Sequence, residues 1–290
     1  MPQSVIDARP PELSRTIHYI GWTIRCLGFE HPRATSSRLF LALVRIAALY
    51  DIHGNLPALE AVLGEVREAG VDLVVSGGDV VPGPMPREAL ASLLNLEIPV
   101  QFIQGNGDRE VLAVRGGATT GRFPESFRAA MEWTARQLDD ESAKVLASWP
   151  STLRLPVPPL GDIIFCHATP RNDTEIFTRT TAEERLLPIF EPLHAQVVVC
   201  GHTHMQFDRA VGATRVVNAG SVGMPFQEPG AYWLLLDRAI ELRHTPYDLA
   251  VAAERIRATA YPQAREFAEK HVRHPPPERE TLEAYSKFEL

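Results

Sequence analysis

Cysteine is scarce in this chain. Cys26, Cys166 and Cys200 are its three thiols, and no two lie close in sequence. An odd, sparse set excludes a disulfide-stapled scaffold and fits a reduced, cytoplasmic setting. Long apolar runs are missing as well. None approaches the ~18 residues that a membrane-spanning helix needs, so the sequence predicts no bilayer span. Basic charge is not in excess: 29 Lys and Arg stand against 36 Asp and Glu, a formal charge of −7. That balance excludes a general nucleic-acid-binding surface. It still allows a small phosphate ligand, because bound cations can reverse the sign locally.

The first 43 residues lack sustained periodicity and carry loop signals at Pro10-Pro11 and His31-Pro32. Leu39–Val44 is short and no small-residue cleavage site follows it, so no secretory signal is expected. The expected organisation is an N-terminal extension (1–43) outside the domain, a compact domain (44–273) and a loosely held Pro- and Glu-rich tail (274–290). Val44 is itself a candidate for the true initiation site.

From Val44 the pattern alternates. Val44–Tyr50 reads as a buried strand. Pro57 opens a helix with Leu59, Val62, Leu63 and Val66 on one face, closed by Gly70. Val71–Val75 and Val100–Ile103 read as strands on either side of a helix carrying Leu90, Leu93 and Leu94. Such alternation predicts parallel βαβ units with right-handed crossovers. Residues 122–149 read as helical, and Asp162–Cys166 as a strand. Thr181-Ala-Glu-Glu184 has the form of a capping box for a helix ending near Leu193. Gln196–Cys200 is another buried strand. Phe207–Val211, Thr214–Val217, Tyr232–Leu236 and Ile240–His244 suggest antiparallel strands. Helices over 248–259 and 262–272 complete the domain. Residues 109–160 and 171–195 are long enough to cover a site.

Potential metal ligands recur where these strands end. Asp51 and His53 follow the first, Asp79 the second and Asn106 the third. His167 directly follows Cys166, and His202 and His204 follow Cys200. Open α/β sheets place active sites at the carboxyl ends of strands. Read as extended backbone, Asp51 and His53 would face one side, as would His202 and His204. Asp79, between two other ligand clusters, is the natural bridging carboxylate. Each piece alone has an ordinary structural reading: Asp79 as a turn or helix cap, Asn106 as turn chemistry, His167 as a hydrogen-bonded strand-end residue. Together, two or three carboxylates, one amide and four imidazoles make an N/O site without thiolate. Such a set suits Mn, Fe, Zn or Co ions better than Ca or Mg. Ions roughly 3.5–4 Å apart with open positions favour in-line displacement at phosphorus. Cys166 and Cys200 read as small core residues turned away by strand alternation.

The ordered set Asp-x-His-Gly-Asn, Gly-Asp, Gly-Asn-x-Asp, His, Gly-His-Thr-His and Asn-x-Gly-Ser resembles the calcineurin-like metallophosphoesterase superfamily. The resemblance covers about residues 44–248 and is nearest to the compact YfcE-like and DevT-like phosphodiesterase branch. It implies an α/β fold, a four-layer αββα sandwich of two mixed sheets, with a binuclear metal centre at the carboxyl ends of the strands. It implies two divalent ions, manganese first, with iron, zinc, cobalt or nickel as alternatives. Asp51, His53, Asp79 and His204 would hold one; Asp79, Asn106, His167 and His202 the other, with Asp79 bridging. Asp79, His167 and Asn106 would then be catalytic, the nucleophile being a hydroxide shared by the ions. Many relatives carry His at the position of Gly107 to protonate the leaving group; this chain does not. Asp108, which would otherwise orient that His, reads here as a turn residue.

Arg171 could grip a phosphate oxygen or pair with Asp173 or Glu175. Asn55 could line the mouth of the site or cap the helix opened by Pro57. Asn218 and Ser221 are expected to shape turns behind the metals. The expected function is a phosphodiesterase or phosphatase acting on a small phosphorylated substrate, a nucleotide among the candidates. The alternatives are a non-catalytic or signalling scaffold on the same fold, or a protein phosphatase. No membrane partner is expected, and oligomeric state is not legible.

Overall fold

A computed structural model describes residues 44–118 and 125–290. The N-terminal extension, Cys26 and residues 119–124 lie outside the described residues. The chain begins with β1 (Ile46–Leu49), α1 (Leu56–Glu68), β2 (Leu73–Ser76), α2 (Pro86–Leu94), β3 (Val100–Phe102) and α3 (Asn106–Arg115). It continues with α4 (Glu125–Gln137), α5 (Asp140–Ala147), β4 (Thr152–Val157), β5 (Gly161–Cys166), α6 (Glu183–Phe190) and β6 (Val197–Cys200). Last come β7 (Phe207–Val211), β8 (Thr214–Asn218), β9 (Ala231–Leu236), β10 (Ile240–Thr245), α7 (Leu249–Arg257), α8 (Ala264–Phe267) and α9 (Glu278–Tyr285). A π-helical stretch, Ala268–Arg273, extends α8.

Two five-stranded mixed sheets form, ordered β10-β9-β1-β2-β3 and β4-β5-β6-β8-β7. In the first, β1, β2 and β3 are parallel and β9 runs against β1. In the second, β5, β6 and β8 are parallel. Strand alternation divides the core into layers. Ala47 and Leu49 of β1 pack outward under α1 and α2, whereas Ile46, Ala48 and Tyr50 pack inward between the sheets. Ile163 and Phe165 of β5 meet them there. Ile164 and Cys166 face outward against Leu186 and Phe190 of α6. The result is the αββα sandwich. Tyr50 ties the sheets by donating its hydroxyl to the Val199 carbonyl at 3.1 Å. Cys166 and Cys200 are free and buried in the outer layer. Among the described residues no helix is long and apolar enough to cross a membrane.

Several expectations change. The Gly-Asn-Gly-Asp turn is the start of α3, which the sequence reading missed. The helix expected over 122–149 is two, broken where Asp139 caps α5 by accepting the Ser142 N–H at 2.8 Å. The capping box at Thr181 does not form. Ala182 is the N-cap of α6, and the Thr181 hydroxyl accepts the Thr178 N–H at 2.8 Å instead. Strand β4 was not anticipated, although Leu153, Leu155 and Val157 alternate; Pro156 masks it and is tolerated because β4 is an edge strand. The tail, expected to be loosely held, carries α9 and is tied down beyond it. Leu290 donates its N–H to Ile176 at 3.1 Å, and Thr178 donates its hydroxyl to Glu289 at 2.6 Å.

Candidate metal centre

The loops after β1, β2, β3, β5 and β6 converge at one edge of the sandwich. Five of the seven predicted ligands sit there in left-handed backbone: Asp51 (φ 54°), His53 (49°), Asp79 (54°), His202 (66°) and His204 (59°). This corrects the extended-backbone premise. Asp51 and His53 converge because the chain curls at each residue, as it does at His202 and His204. Left-handed Asp and His are uncommon, cost of order 1–3 kcal/mol each, and persist only where surroundings over-determine them. Here main-chain bonds between loops do so. Asp51 donates its N–H to Gly78 (3.1 Å), His53 to Asp79 (2.8 Å) and Gly223 to Asp51 (3.0 Å). Gly201 lets the loops touch: a Cβ there would sit 2.5 Å from Asp51 Oδ2.

Three imidazoles are held alike. His53 Nδ1 lies 3.1 Å from the Pro82 carbonyl, His167 Nδ1 3.0 Å from that of Gly77, and His204 Nδ1 2.7 Å from that of Met224. A carbonyl accepts only from N–H, so each Nδ1 carries a proton and each ring turns its Nε2 inward. Those nitrogens surround Asp51 Oδ1, at 3.8 Å (His53), 3.8 Å (His167) and 3.3 Å (His204). Asp79 Oδ2 lies 3.7 Å from both His53 and His167 Nε2. His53 and His204 Nε2 are 3.2 Å apart, and Asn106 Oδ1 is 3.0 Å from His167 Nε2. The His202 ring meets that of His167 edge-on at 5.2 Å, and its main-chain N–H donates to Asp51 Oδ2 at 2.8 Å.

Two groups of potential ligands result, Asp51–His53–His204 and Asp51–Asp79–His167, all buried, with ligand atoms within 4.8 Å of one another. Both carboxylates stand between the two sets of imidazoles. Asp51 Oδ1 is buried without a hydrogen-bond partner. A buried anionic oxygen facing the lone pairs of neutral imidazoles is unfavourable unless a cation lies among them. A divalent cation therefore fits the donor set.

Burial alone would raise the Asp51 carboxyl, but charge on His204 and His167 holds it well below the usual carboxylate range. Burial pushes His202 down to about 4, helped by repulsion from His167, and lowers His53, helped by His204. Burial would also lower His167, but the Asp79 and Asp51 charges raise it.

Asp108 is more than the turn residue expected. Its oxygens accept N–H bonds from Asp79 (2.8 Å), Val80 (2.9 Å), Val81 (3.1 Å) and Gly105 (3.3 Å). It clamps the Asp79 loop to the start of α3. Burial and the Asp79 charge push its pKa up, and the bonds from Val81 and Gly105 oppose them. Gly107 donates its N–H to Asp79 Oδ1 at 2.7 Å.

The structure does not bring Arg171 or Asn55 to the cavity. Arg171 is exposed and its fork is filled by Glu175, at 2.8 Å from Nε and 2.7 Å from Nη2. Asn55 is buried; it accepts the Ala58 N–H at 3.3 Å, capping α1, and donates to the Gly223 carbonyl at 2.9 Å. Asn218 and Ser221 do shape the turns behind the site, donating to the Gly201 and Asp51 carbonyls at 2.7 Å each. Sequence reasoning missed the carbonyls of Gly77, Pro82 and Met224, since any residue supplies one.

A family profile for the calcineurin-like phosphoesterase superfamily domain matches residues 44–239. An uncharacterized protein of Methanocaldococcus jannaschii is 27% identical over 243 residues, covering 75% of this chain and 94% of that protein. The crystal structure of a hypothetical protein from Pyrococcus horikoshii OT3 has the same fold, with TM-score 0.69 and 22% identity, covering 81% of this chain and all of the other. The crystal structure of a metallophosphoesterase from Sphaerobacter thermophilus is 26% identical with TM-score 0.57, covering 74% of this chain and 93% of the other. The profile spans most of the chain, from β1 through the loops that carry all seven predicted ligands, and the chain belongs to the calcineurin-like phosphoesterase superfamily.

Proposed function

We propose that this chain is a metal-dependent phosphoric ester hydrolase acting on a small phosphodiester, phosphoanhydride or phosphomonoester. The observation that carries this reading is the buried, partnerless Asp51 Oδ1 ringed by the Nε2 atoms of His53, His167 and His204. Asp51, His53, Asp79 and His204 would hold one ion, and Asp79, Asn106, His167 and His202 the second. Two divalent ions, manganese first among the candidates, would polarise the phosphoryl oxygens and supply a hydroxide for in-line attack.

The chain's own residues set the rest. Carbonyls of Pro82, Gly77 and Met224 fix the rings of His53, His167 and His204, so their Nε2 atoms need no reorientation. Gly107 N–H and the Asp108 clamp fix Asp79 between the two imidazole sets. Gly107 offers no side chain to protonate a departing oxygen. The site therefore favours esters whose leaving groups need little help, or protonation by water. Free, buried Cys166 and Cys200 fit a reducing, cytoplasmic setting as part of the same proposal.

The test is to strip the protein of metal, restore Mn²⁺, and assay bis-p-nitrophenyl phosphate and p-nitrophenyl phosphate alongside metal analysis. Metal-dependent turnover with about two ions per chain is expected, and the diester is expected to be the better substrate. Failure to bind ions, or turnover indifferent to them, would sink the reading.

A further inference from the structure

The floor of the centre opens into a cavity of about 340 Å³ whose two sides differ in character. His53, Asp79, Asn106, His202 and His204 form the floor. The facing wall comes from Phe127, Ala130 and Met131 of α4, Met224 in the loop after β8, Tyr261 in the loop between α7 and α8, and Phe267 of α8. Among the described residues lining it there is no Lys or Arg, and Glu266 is the wall's one acid.

Phosphate groups beyond the first would extend from the floor onto this wall. They would meet apolar carbon, the Glu266 carboxylate and the polar groups of Thr134, Gln263 and His271, and among the described residues would gain no Lys or Arg. An apolar arm would instead leave water against thioethers and aromatic edges, which adapt well to a flat ring. The wall is built into the fold rather than laid over it. Met131 belongs to the core beneath α4, Phe267 to the cluster of the C-terminal helices, and Tyr261 is braced edge-on by Trp133 at 5.4 Å.

We infer that the substrate is an ester bearing a single phosphate and an aromatic or similarly apolar arm seated against this wall. This rests on the phosphoesterase reading and narrows it, setting aside polyphosphate chains.

The test is calorimetric binding of phenylphosphonate and methylphosphonate to the manganese-loaded protein, with the metal-free protein as control. Both carry the same headgroup and differ only in the arm. The expected result is phenylphosphonate binding about tenfold tighter or more, from the apolar surface the ring buries. Ala130→Phe, which fills the cavity, should bring the ratio close to one. Tyr261→Ala, which removes wall, should reduce it. Equal affinities in the wild-type protein, or a ratio indifferent to both substitutions, would overturn the subsite and leave the phosphoesterase reading standing. Metal-independent binding of both, or binding of neither, would overturn the two together.

Discussion

His53 and His204 meet Nε2 to Nε2 at 3.2 Å, each with its Nδ1 committed to a main-chain carbonyl. With each Nδ1 so committed, Nε2 is the ring position left to face a ligand. Neutral rings would turn two lone pairs on each other beside Asp51 Oδ1, 3.3 Å from His204. A cation removes this conflict, and the fold tolerates five left-handed non-glycine residues to create it.

Cation binding should then stabilise the fold. At a free ion concentration of ~100 times Kd the gain is about 2.7 kcal/mol. For a domain of this size that is roughly 5–10 °C in Tm. Differential scanning calorimetry with Mn²⁺ and with chelator measures it. Coincident transitions would show that no cation lies among these rings.

Asp79→Asn should lower metal content and abolish turnover while the far-ultraviolet circular dichroism stays unchanged. Asp79 Oδ2 lies 3.7 Å from an imidazole of each set, so one neutralised oxygen weakens both. Full activity with unchanged stoichiometry would remove Asp79 from the centre.

Gly107→His places an imidazole where many relatives carry a general acid, yet here it should reduce activity. A Cβ at 107 would lie 2.6 Å from Pro82 Cγ and 3.0 Å from each Asp79 oxygen. The Asp79 loop must shift before the new ring can help. Gly107→Ala, which adds only the Cβ, should lose comparable activity and metal. A gain in kcat for Gly107→His would refute the steric argument.

Acid should destabilise the metal-free protein through His271. Burial, then repulsion from His204 and His53, pushes its pKa down to about 3. The unfolded value is near 6.5. Between these two values the unfolded chain binds the extra proton, so stability is full above pH ~6.5 and falls as pH drops towards 3. His271→Gln should flatten this limb by at most one proton, about 1.4 kcal/mol per pH unit. Urea unfolding of both proteins from pH 7 to pH 4 reads the difference. Parallel curves would mean that His271 keeps its ordinary pKa in the fold.

Much of the site was legible because its ligands sit next to strands that announce themselves. Val197–Cys200 is apolar throughout, so a histidine just beyond it must emerge at a strand end. The strands themselves were readable because burial on both faces leaves runs of β-branched residues. Helix α3 was not readable: Gly-Asn-Gly-Asp is good turn chemistry, and the clamp that starts the helix is Asp108 reaching to N–H groups of residues 79–81. Arg171 and Asn55 each had two local readings. Glu175 in one case and Gly223 in the other decided them through side-chain partners.

The sequence by itself determined the sheet-forming runs, the order of the ligands and the donor chemistry of the centre. These are local properties: residue type, spacing and the apolar stretch that precedes each ligand. The tertiary structure alone decided that Asp51 and Asp79 stand between opposed imidazoles, because that depends on loops from two different sheets meeting at one edge. It alone decided the apolar wall as well. Ala130 and Tyr261 are far apart in the chain and meet only when α4 and the C-terminal helices pack over the same strand ends.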